Sequence, residues 1–211
     1  NGVGTVTYGP RTIHDRLTRG GPLAQSPSYY TLDAAVGSDP RKTLVGSLQG
    51  SYAKDELGGR AIGGVLALSG RPTETVRFSL EPQLVVDRTM NQYVTAVTDA
   101  TATETLGRRY VLATMDQTTF ALATRLDWTF TPNLSLQLYA QPFISAAEFS
   151  DYKELAGTRT LKTHEYGEDR GTIDEFVPNR FRVDPDGEGP ARPFTFGQAF
   201  NNDPETICEV M

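Results

Sequence analysis

The chain has 211 residues, a formal net charge of -6 and a pI of about 5.0, which disfavours a nucleic-acid partner. Its two histidines and single cysteine exclude a disulfide framework and a Cys/His zinc cluster within the chain. No window approaches the roughly twenty apolar residues of a transmembrane helix, but the low mean hydropathy suits a transmembrane β-barrel, because half of each spanning strand is polar.

Residues 1–29 are predicted to be a partial strand and a loop, and residues 30–150 to be a series of up-and-down strands. The clearest strand covers Val76–Val86, where apolar and polar side chains take alternate positions. Because successive side chains of a strand point to opposite faces, this alternation gives one apolar and one polar face. Residues 151–193 are predicted to be a long extracellular loop region, and residues 194–211 to hold the start of a further strand and an aberrant or truncated tail.

The stretch Thr119–Phe143 predicts a hairpin whose turn is at Thr131–Asn133. Apolar residues alternate with polar ones on both sides of this turn, which is typical of a strand pair with one apolar face. The alternation also predicts the pairing register. The expected pairs are Phe130 with Leu134, Trp128 with Leu136, Leu126 with Leu138 and Arg125 with Tyr139.

The large apolar residues keep even numbers from one strand to the next, so one apolar face continues across the chain reversals. We expect this face to contact lipid and the odd-numbered face to line a wet lumen, because an Arg at mid-depth in lipid would cost about 2–4 kcal/mol. The residues expected to face lipid are Phe78, Leu80, Leu122, Leu126, Trp128, Leu136 and Leu138. The residues expected to face the lumen are Arg77, Glu81, Gln83, Arg125, Asp127, Gln137 and Gln141.

The lengths of the connections give a second indication. Tight turns are predicted at Asp39–Arg41, Gly70–Glu74 and Thr131–Asn133, and the longer connections between them run from Glu56–Gly59 to Arg88–Arg108 and 151–193. Outer-membrane barrels have short periplasmic turns and longer extracellular loops. The sequence therefore predicts an all-β fold, an antiparallel up-and-down meander that is part of a transmembrane outer-membrane β-barrel. A soluble antiparallel sandwich or a lipocalin-like barrel, with its polar face outward, is the alternative.

Three acidic residues form the candidate metal site of the sequence. Asp184, Asp186 and Glu188 alternate, and carboxylates with this spacing can bind calcium. A solvated turn explains the same residues equally well. His14 and His164 lie away from any nucleophile motif, so the sequence assigns no catalytic residue.

Six short stretches of the chain occur together in one known protein family. They are Arg16–Leu23, Gly107–Val111, Asp116–Thr119, Leu136–Phe143, Tyr152–Leu155 and Val183–Pro190. On these motifs the chain resembles a family of bacterial outer-membrane β-barrel domains of unknown function, which follow a carbohydrate-binding domain of the family 9 type. The resemblance implies an outer-membrane location and a companion sugar-binding domain, and it provides no catalytic residues. Family members continue with further strands where this chain has Asn202–Met211, so the chain is interpreted as a fragment.

From these observations we expect a non-enzymatic fragment of a bacterial outer-membrane β-barrel that acts as an anchor or pore and is linked to glycan capture or uptake. The expected partners are outer-membrane lipid and, through the parent protein, polysaccharide. No cofactor is expected other than the candidate calcium ion. One alternative is an outer-membrane glycan hydrolase, with its chemistry in a missing N-terminal part or in the lumen, where Glu81 and Asp127 could face each other. The other is a soluble β-sandwich binding module.

Overall fold

A computed structural model of the chain describes residues 2–186 and 193–197. These residues form an all-β structure, as predicted, with one 3₁₀ turn at Thr103–Thr105 and no α-helix. The strands are β1 (Gly2–Gly9), β2 (Thr12–His14), β3 (Ala24–Ser26), β4 (Tyr29–Gly37), β5 (Leu44–Asp55), β6 (Arg60–Thr73), β7 (Val76–Thr98), β8 (Arg108–Thr131), β9 (Leu134–Ala140), β10 (Phe143–Leu155), β11 (Thr163–Glu165), β12 (Thr172–Val177), β13 (Arg180–Asp184) and β14 (Phe194–Gly197).

Nine strands form one antiparallel sheet in the order β1-β4-β5-β6-β7-β8-β10-β11, in which β9 also pairs with β8. Strands β4 to β8 are neighbours in chain order, which confirms the predicted up-and-down meander. Two smaller sheets combine β2 with β3, and β12 with β13 and β14. The strands of the described residues do not close into a barrel.

The predicted difference between short turns and long loops is only partly present. Residues 74–75 form a tight connection between β6 and β7, as expected. However, the connection 38–43 between β4 and β5 is longer than 56–59 between β5 and β6, and the opposite was predicted. A β-turn nevertheless forms at the predicted position, because the backbone N–H of Lys42 donates to the carbonyl of Asp39 at 3.2 Å and the N–H of Arg41 donates to the Asp39 carboxylate. The predicted tight turn is therefore present, within a connection that is longer than predicted.

Several strands are longer than the sequence pattern predicted. Strand β7 continues to Thr98, so most of the predicted loop Arg88–Arg108 is strand, and only residues 99–107 connect β7 to β8. Residues 89–97 of β7 are all partly buried. A strand that is covered on both faces loses the alternation that marks a half-solvated one. The region 151–193, predicted to be a loop, likewise contains β11, β12 and β13.

The chain divides into two compact units. Among the described residues, the sheet unit consists of 2–9, 29–88 and 117–146, and the core unit consists of 10–28, 89–116, 147–186 and 193–197. Strands β7, β8 and β10 contribute residues to both units. Strand β8 is continuous over 24 residues, from Arg108 to Thr131.

Strand pairing in the sheet unit keeps residues of equal parity opposite each other, except where the register shifts after Gly70 and after Thr129. One row of the even-numbered face crosses five strands and consists of Val6, Leu32, Tyr52, Ile62 and Val86. The adjacent row of the odd-numbered face consists of Thr5, Asp33, Ser51, Gly63 and Val85. The predicted apolar face therefore continues across the chain reversals of β1 and β4 to β7.

The β8–β9 hairpin has the predicted register over most of its length. Three predicted pairs are confirmed, namely Leu126 with Leu138, Trp128 with Leu136 and Arg125 with Tyr139. The fourth is wrong, because the register shifts between Thr129 and Thr131, and Leu134 pairs with Thr131 instead of Phe130. Phe130 lies at this shift, and its ring centroid is 4.4 Å from that of Trp128.

The hydrophobic core lies in the core unit. All six residues of Arg109–Thr114 in β8 are buried, so both faces of the strand are covered there. The larger cluster consists of Val111, Ala113, Tyr152, Tyr166, Val183, Phe194 and Phe196. The smaller cluster consists of Tyr110, Ala24 and Leu155. Each large apolar side chain that is fully buried in this way contributes about 1.5–3 kcal/mol to folding.

Candidate functional site

The even-numbered face of the sheet unit is not covered by other described residues. Only Gly9 and Gly59 are buried among the described residues of this unit. Of the seven residues predicted to face lipid, four are exposed and three are partly exposed. The exposed ones are Leu80, Trp128, Leu136 and Leu138, and the partly exposed ones are Phe78, Leu122 and Leu126. A contiguous exposed apolar surface of this kind marks a contact with another protein, a ligand or a membrane.

The odd-numbered face of the sheet unit carries the residues that were predicted to face a lumen. Arg77, Glu81, Gln83, Arg125, Gln137 and Gln141 are exposed, and Asp127 is partly exposed. Asp127 pairs with Gln137 across the β8–β9 hairpin. The guanidinium of Arg125 lies over the ring of Tyr139, 5.8 Å from its centroid. Both faces of the unit are therefore open, and they differ in polarity as the sequence indicated.

The candidate calcium ligands are not brought into a complete site by the described residues. Asp184 ends β13 opposite Thr172 of β12, and Asp186 is exposed two residues later. Glu188 lies outside the described residues. Within the part of the chain that the structure describes, no three His, Cys, Asp or Glu side chains lie close enough to hold a metal ion.

A buried ionic network in the core unit, centred on Arg109, was not predicted. The guanidinium of Arg109 donates from Nε to Oδ2 of Asp99 at 2.6 Å and from Nη1 to the carboxylate oxygens of Glu154 at 2.7 and 2.8 Å. Its Nη2 donates to Oγ1 of Thr101 at 3.2 Å. The side chains of Arg109, Asp99 and Glu154 are 5, 8 and 5 % exposed. One buried cation therefore binds two buried carboxylates.

Two further residues complete the Arg109 network at Glu154. Tyr166 donates from its hydroxyl to Oε2 of Glu154 at 2.9 Å, and Nη1 of Arg170 lies 3.0 Å from Oε1. Arg170 is 40 % exposed and brings a second positive charge from the surface. The two cations thus balance the charges of Glu154 and Asp99. Buried charges persist in folded proteins when they are paired and hydrogen-bonded in this way.

The network sets the protonation states of its members. Burial opposes the charge of Asp99, but hydrogen bonds from Thr101 and Arg109 outweigh it and lower the pKa of this carboxyl to about 2. Burial also opposes the charge of Arg109, whereas Glu154 and Asp99 raise the pKa of the guanidinium. Burial and the adjacent Glu154 carboxylate raise the pKa of Tyr166, so its phenol remains a hydrogen-bond donor.

The connection between β7 and β8 positions Asp99. Oδ1 of Asp99 accepts hydrogen bonds from the backbone N–H of Thr101 at 2.9 Å and from its hydroxyl at 2.7 Å. Leu106 and Gly107 have positive φ of 61° and 75°, and they close the loop so that the N–H of Asp99 donates to the carbonyl of Gly107. This loop holds the carboxylate beside the start of β8.

A change of parity at Asp151 in β10 positions Glu154. Before this point, residues of β8 and β10 that are both odd-numbered contact each other. For example, the side chain of Gln117 in β8 donates a hydrogen bond to Ser145 in β10. Asp151 then has a φ of 47°, and beyond it the even-numbered Glu154 meets the odd-numbered Arg109. A slip of one residue turns every following side chain to the opposite face. Asp is one of the few residues besides glycine that adopt positive φ readily.

Four of the stretches that carry the family resemblance contribute packed residues to the core unit, and one of these residues is Val183 of the larger buried cluster. Gly107–Val111 supplies the central guanidinium of the network, and Tyr152–Leu155 supplies the carboxylate that it binds twice. In Arg16–Leu23, Gly21 packs so closely on the ring of Tyr110 that a Cβ there would clash. Arg109 and Glu154 are visible in the sequence as charged residues within β-rich motifs. Nothing in the sequence showed that Gly107–Val111 and Tyr152–Leu155 meet in the fold.

The Arg109 network connects separate parts of the core unit through hydrogen bonds and ion pairs. It joins β8, β10 and the loop 99–107, and it contains no Ser, Cys or His. Among the described residues, no buried side-chain nitrogen or oxygen lacks a hydrogen-bond partner. A fully satisfied polar network of this kind makes a core rigid and specific. We therefore assign the network a structural role, and the exposed faces of the sheet unit are the candidates for contact with other molecules.

Comparisons with protein-family models, with curated protein sequences and with solved structures find no match to this chain. Within residues 2–186 and 193–197 no helix combines the length and the apolar composition needed to cross a bilayer. The function of this chain must therefore be inferred from the two faces of the sheet unit.

Proposed function

We propose that the chain is a fragment of a bacterial outer-membrane β-barrel that acts as an anchor or pore. In this proposal the strands of the sheet unit cross the membrane, with the even-numbered face toward acyl chains and the odd-numbered face toward water. The link to glycan capture or uptake, through a carbohydrate-binding module of the parent protein, is supported by the family resemblance alone.

One observation carries the proposal, which is that the large apolar residues of the sheet unit are left uncovered. Val6, Leu32, Ile62 and Val86 lie in one row across the sheet and are 72, 45, 55 and 48 % exposed. Moving apolar surface out of water gains about 25 cal/mol per Å², so this row is favoured in contact with hydrocarbon. Strands with one apolar and one polar face are typical of transmembrane barrels.

A soluble sandwich would cover the apolar face with a second sheet. Trp128 is 42 % exposed, and Phe78 and Leu126 are only partly buried by the described residues. This favours the membrane interpretation over the soluble one. Because unpaired backbone groups are costly in hydrocarbon, crossing a membrane also requires strand edges to be paired. The proposal therefore requires further strands to pair with the edges of the described sheet.

Trp128 gives a direct test, because it is the single tryptophan of the chain and lies on the even-numbered face. The full chain is folded into phosphatidylcholine vesicles whose acyl chains carry bromine, which quenches tryptophan by contact. We expect strong quenching of Trp128 fluorescence by the brominated lipid and weak quenching by iodide added to the water phase.

The matched control moves the tryptophan to the other face of the same hairpin with the double substitution Trp128→Phe and Gln137→Trp. Gln137 pairs with Asp127 on the odd-numbered face. This variant should be quenched by iodide rather than by brominated lipid. Equal lipid quenching of both proteins, or none of either, would contradict the proposed orientation.

A further inference from the structure

A basic hollow lies at the end of the sheet unit where β6 turns into β7. Its volume is about 550 Å³, and four positively charged residues, Arg41, Lys42, Arg71 and Arg77, are among the residues that line it. None of the lining residues is acidic. This concentration of positive charge contrasts with the net charge of -6 of the whole chain.

The four cations of the basic hollow form no salt bridge within the described residues, although Asp39 and Glu74 lie in the adjoining turns. Asp39 lies in the adjoining turn, but its Oδ1 accepts a hydrogen bond from the backbone N–H of Arg41, and it does not line the hollow. Like charges held close together repel each other, so an anion that entered the hollow would relieve this repulsion.

The basic hollow includes residues of the polar face. Val45 and Ser69, which pair with each other, and Arg77 belong to the odd-numbered face. Arg71 lies at the register shift between Gly70 and Thr73, and Phe78 of the even-numbered face also contributes to the lining. Positive side chains that line a passage are used to select anions in pores. Arginine is suited to this task, because its planar fork matches the oxygens of a phosphate or carboxylate group.

We infer that the basic hollow binds the oxyanion group of a solute of about sugar size. A volume of about 550 Å³ falls within the range of small-molecule sites, and it greatly exceeds the space that a single phosphate needs. Phosphate and carboxylate share the chemistry that the arginines recognise, so a sugar phosphate and a sugar acid both qualify. The sugar part of this inference rests on the proposed function, whereas the anion site rests only on the arrangement of the four cations.

The test measures binding by isothermal titration calorimetry on the full chain in a neutral detergent. The probes are glucose 6-phosphate, glucuronate, inorganic phosphate and glucose. We expect binding of glucose 6-phosphate or glucuronate that weakens as salt is added, no binding of glucose, and weaker binding of inorganic phosphate. In the double variant Arg71→Gln, Arg77→Gln the affinity should fall at least about tenfold, because each removes a hydrogen bond to a charged group.

The control variant Lys54→Gln, Arg60→Gln removes two exposed charges at the other end of the same strands, where Lys54 pairs with Arg60. Its affinity should stay within about twofold of the unchanged chain, as expected for charges distant from the ligand. Equal losses in both variants, or equal binding of glucose, would overturn the anion site. Inorganic phosphate that binds as tightly as glucose 6-phosphate would overturn the sugar part alone. Because no membrane is used, these results are independent of the quenching of Trp128.

Discussion

Strand β8 passes through two contrasting environments. In the core unit, Arg109–Thr114 are buried on both faces of the strand, whereas in the sheet unit no residue from Gln117 to Thr131 is buried. The same backbone conformation therefore serves a packed core and an open sheet. The difference shows that a strand does not determine its own surroundings, because the residues that cover its two faces come from elsewhere in the chain.

Charged residues show the same contrast. In the core unit Arg109 is buried and bound to two carboxylates, whereas Arg77 and Arg125 of the sheet unit are exposed. Buried charges require partners, because the cost of removing them from water is otherwise too high. We therefore expect substitutions in the core unit to act on folding in water, and substitutions in the sheet unit to act mainly on the contact with lipid.

The largest effect is expected for Arg109→Ala in the core unit. This change leaves Asp99 and Glu154 buried with a reduced counter-charge, and breaking a buried ion pair costs about 3–5 kcal/mol. Amide hydrogen exchange, measured by mass spectrometry on peptides of the core unit, should become faster by the factor that corresponds to this loss in the free energy of unfolding. The neighbouring Arg108 is exposed, so Arg108→Ala should change stability by no more than about 0.5 kcal/mol. Similar exchange in both variants would contradict a stabilising role of the network.

A smaller effect is expected for arginine introduced on the even-numbered face of the sheet unit. Leu48 and Gln49 are adjacent exposed residues of β5 on opposite faces. In vesicles, Leu48→Arg should destabilise the folded protein by about 2–4 kcal/mol, whereas Gln49→Arg should be nearly neutral. Urea unfolding followed by Trp128 fluorescence measures both. If the two variants unfold alike in vesicles, the even-numbered face does not contact lipid.

The third prediction concerns the pH dependence of the core unit. The pKa of Asp99 is about 2 in the folded protein, below the ordinary value of 3.8, so the unfolded chain binds the proton more readily. The resulting stability is present above pH 3.8 and is lost as the pH falls toward 2; it amounts to about 2 kcal/mol. The variant Asp99→Asn should lack this loss, and its stability should approach that of the unchanged chain near pH 2. If the stability of both proteins falls in parallel as the pH is lowered, Asp99 is not the titrating group.

The sequence was sufficient to predict the meander and most of the register of the β8–β9 hairpin. Apolar residues of equal parity, such as Leu126 and Leu138, fixed the pairing of β8 with β9, because a slip by one residue would mix the two faces. The register shift at Phe130 was not predictable, since a local irregularity leaves the alternation on either side intact. The uncovered state of the even-numbered face was expected, and its contact with lipid remains a prediction.

The core unit was largely beyond prediction from sequence. Arg109 and Glu154 are 45 residues apart, and no local pattern shows that two charged residues at such a distance will meet. Residues 89–98 were assigned to a loop because alternation is the main signal for a strand, and it fades where both faces are covered. The basic hollow was missed for a similar reason, since Arg41 lies in the connection between β4 and β5 and Arg71 lies near the end of β6.

Because the parity changes at Asp151, the Arg109 network constrains the number of residues in β10 as strictly as it constrains their types. Removing Asp151, or inserting one residue between it and Glu154, would turn Glu154 away from Arg109 while every neighbouring residue type stayed the same. Homologous sequences that share this network should accordingly tolerate insertions in the connection 156–162 but not within Asp151–Leu155. In this chain the carboxylate of Glu154 follows three positions after Asp151, the residue with positive φ. This spacing is a sequence signature by which such proteins can be recognised.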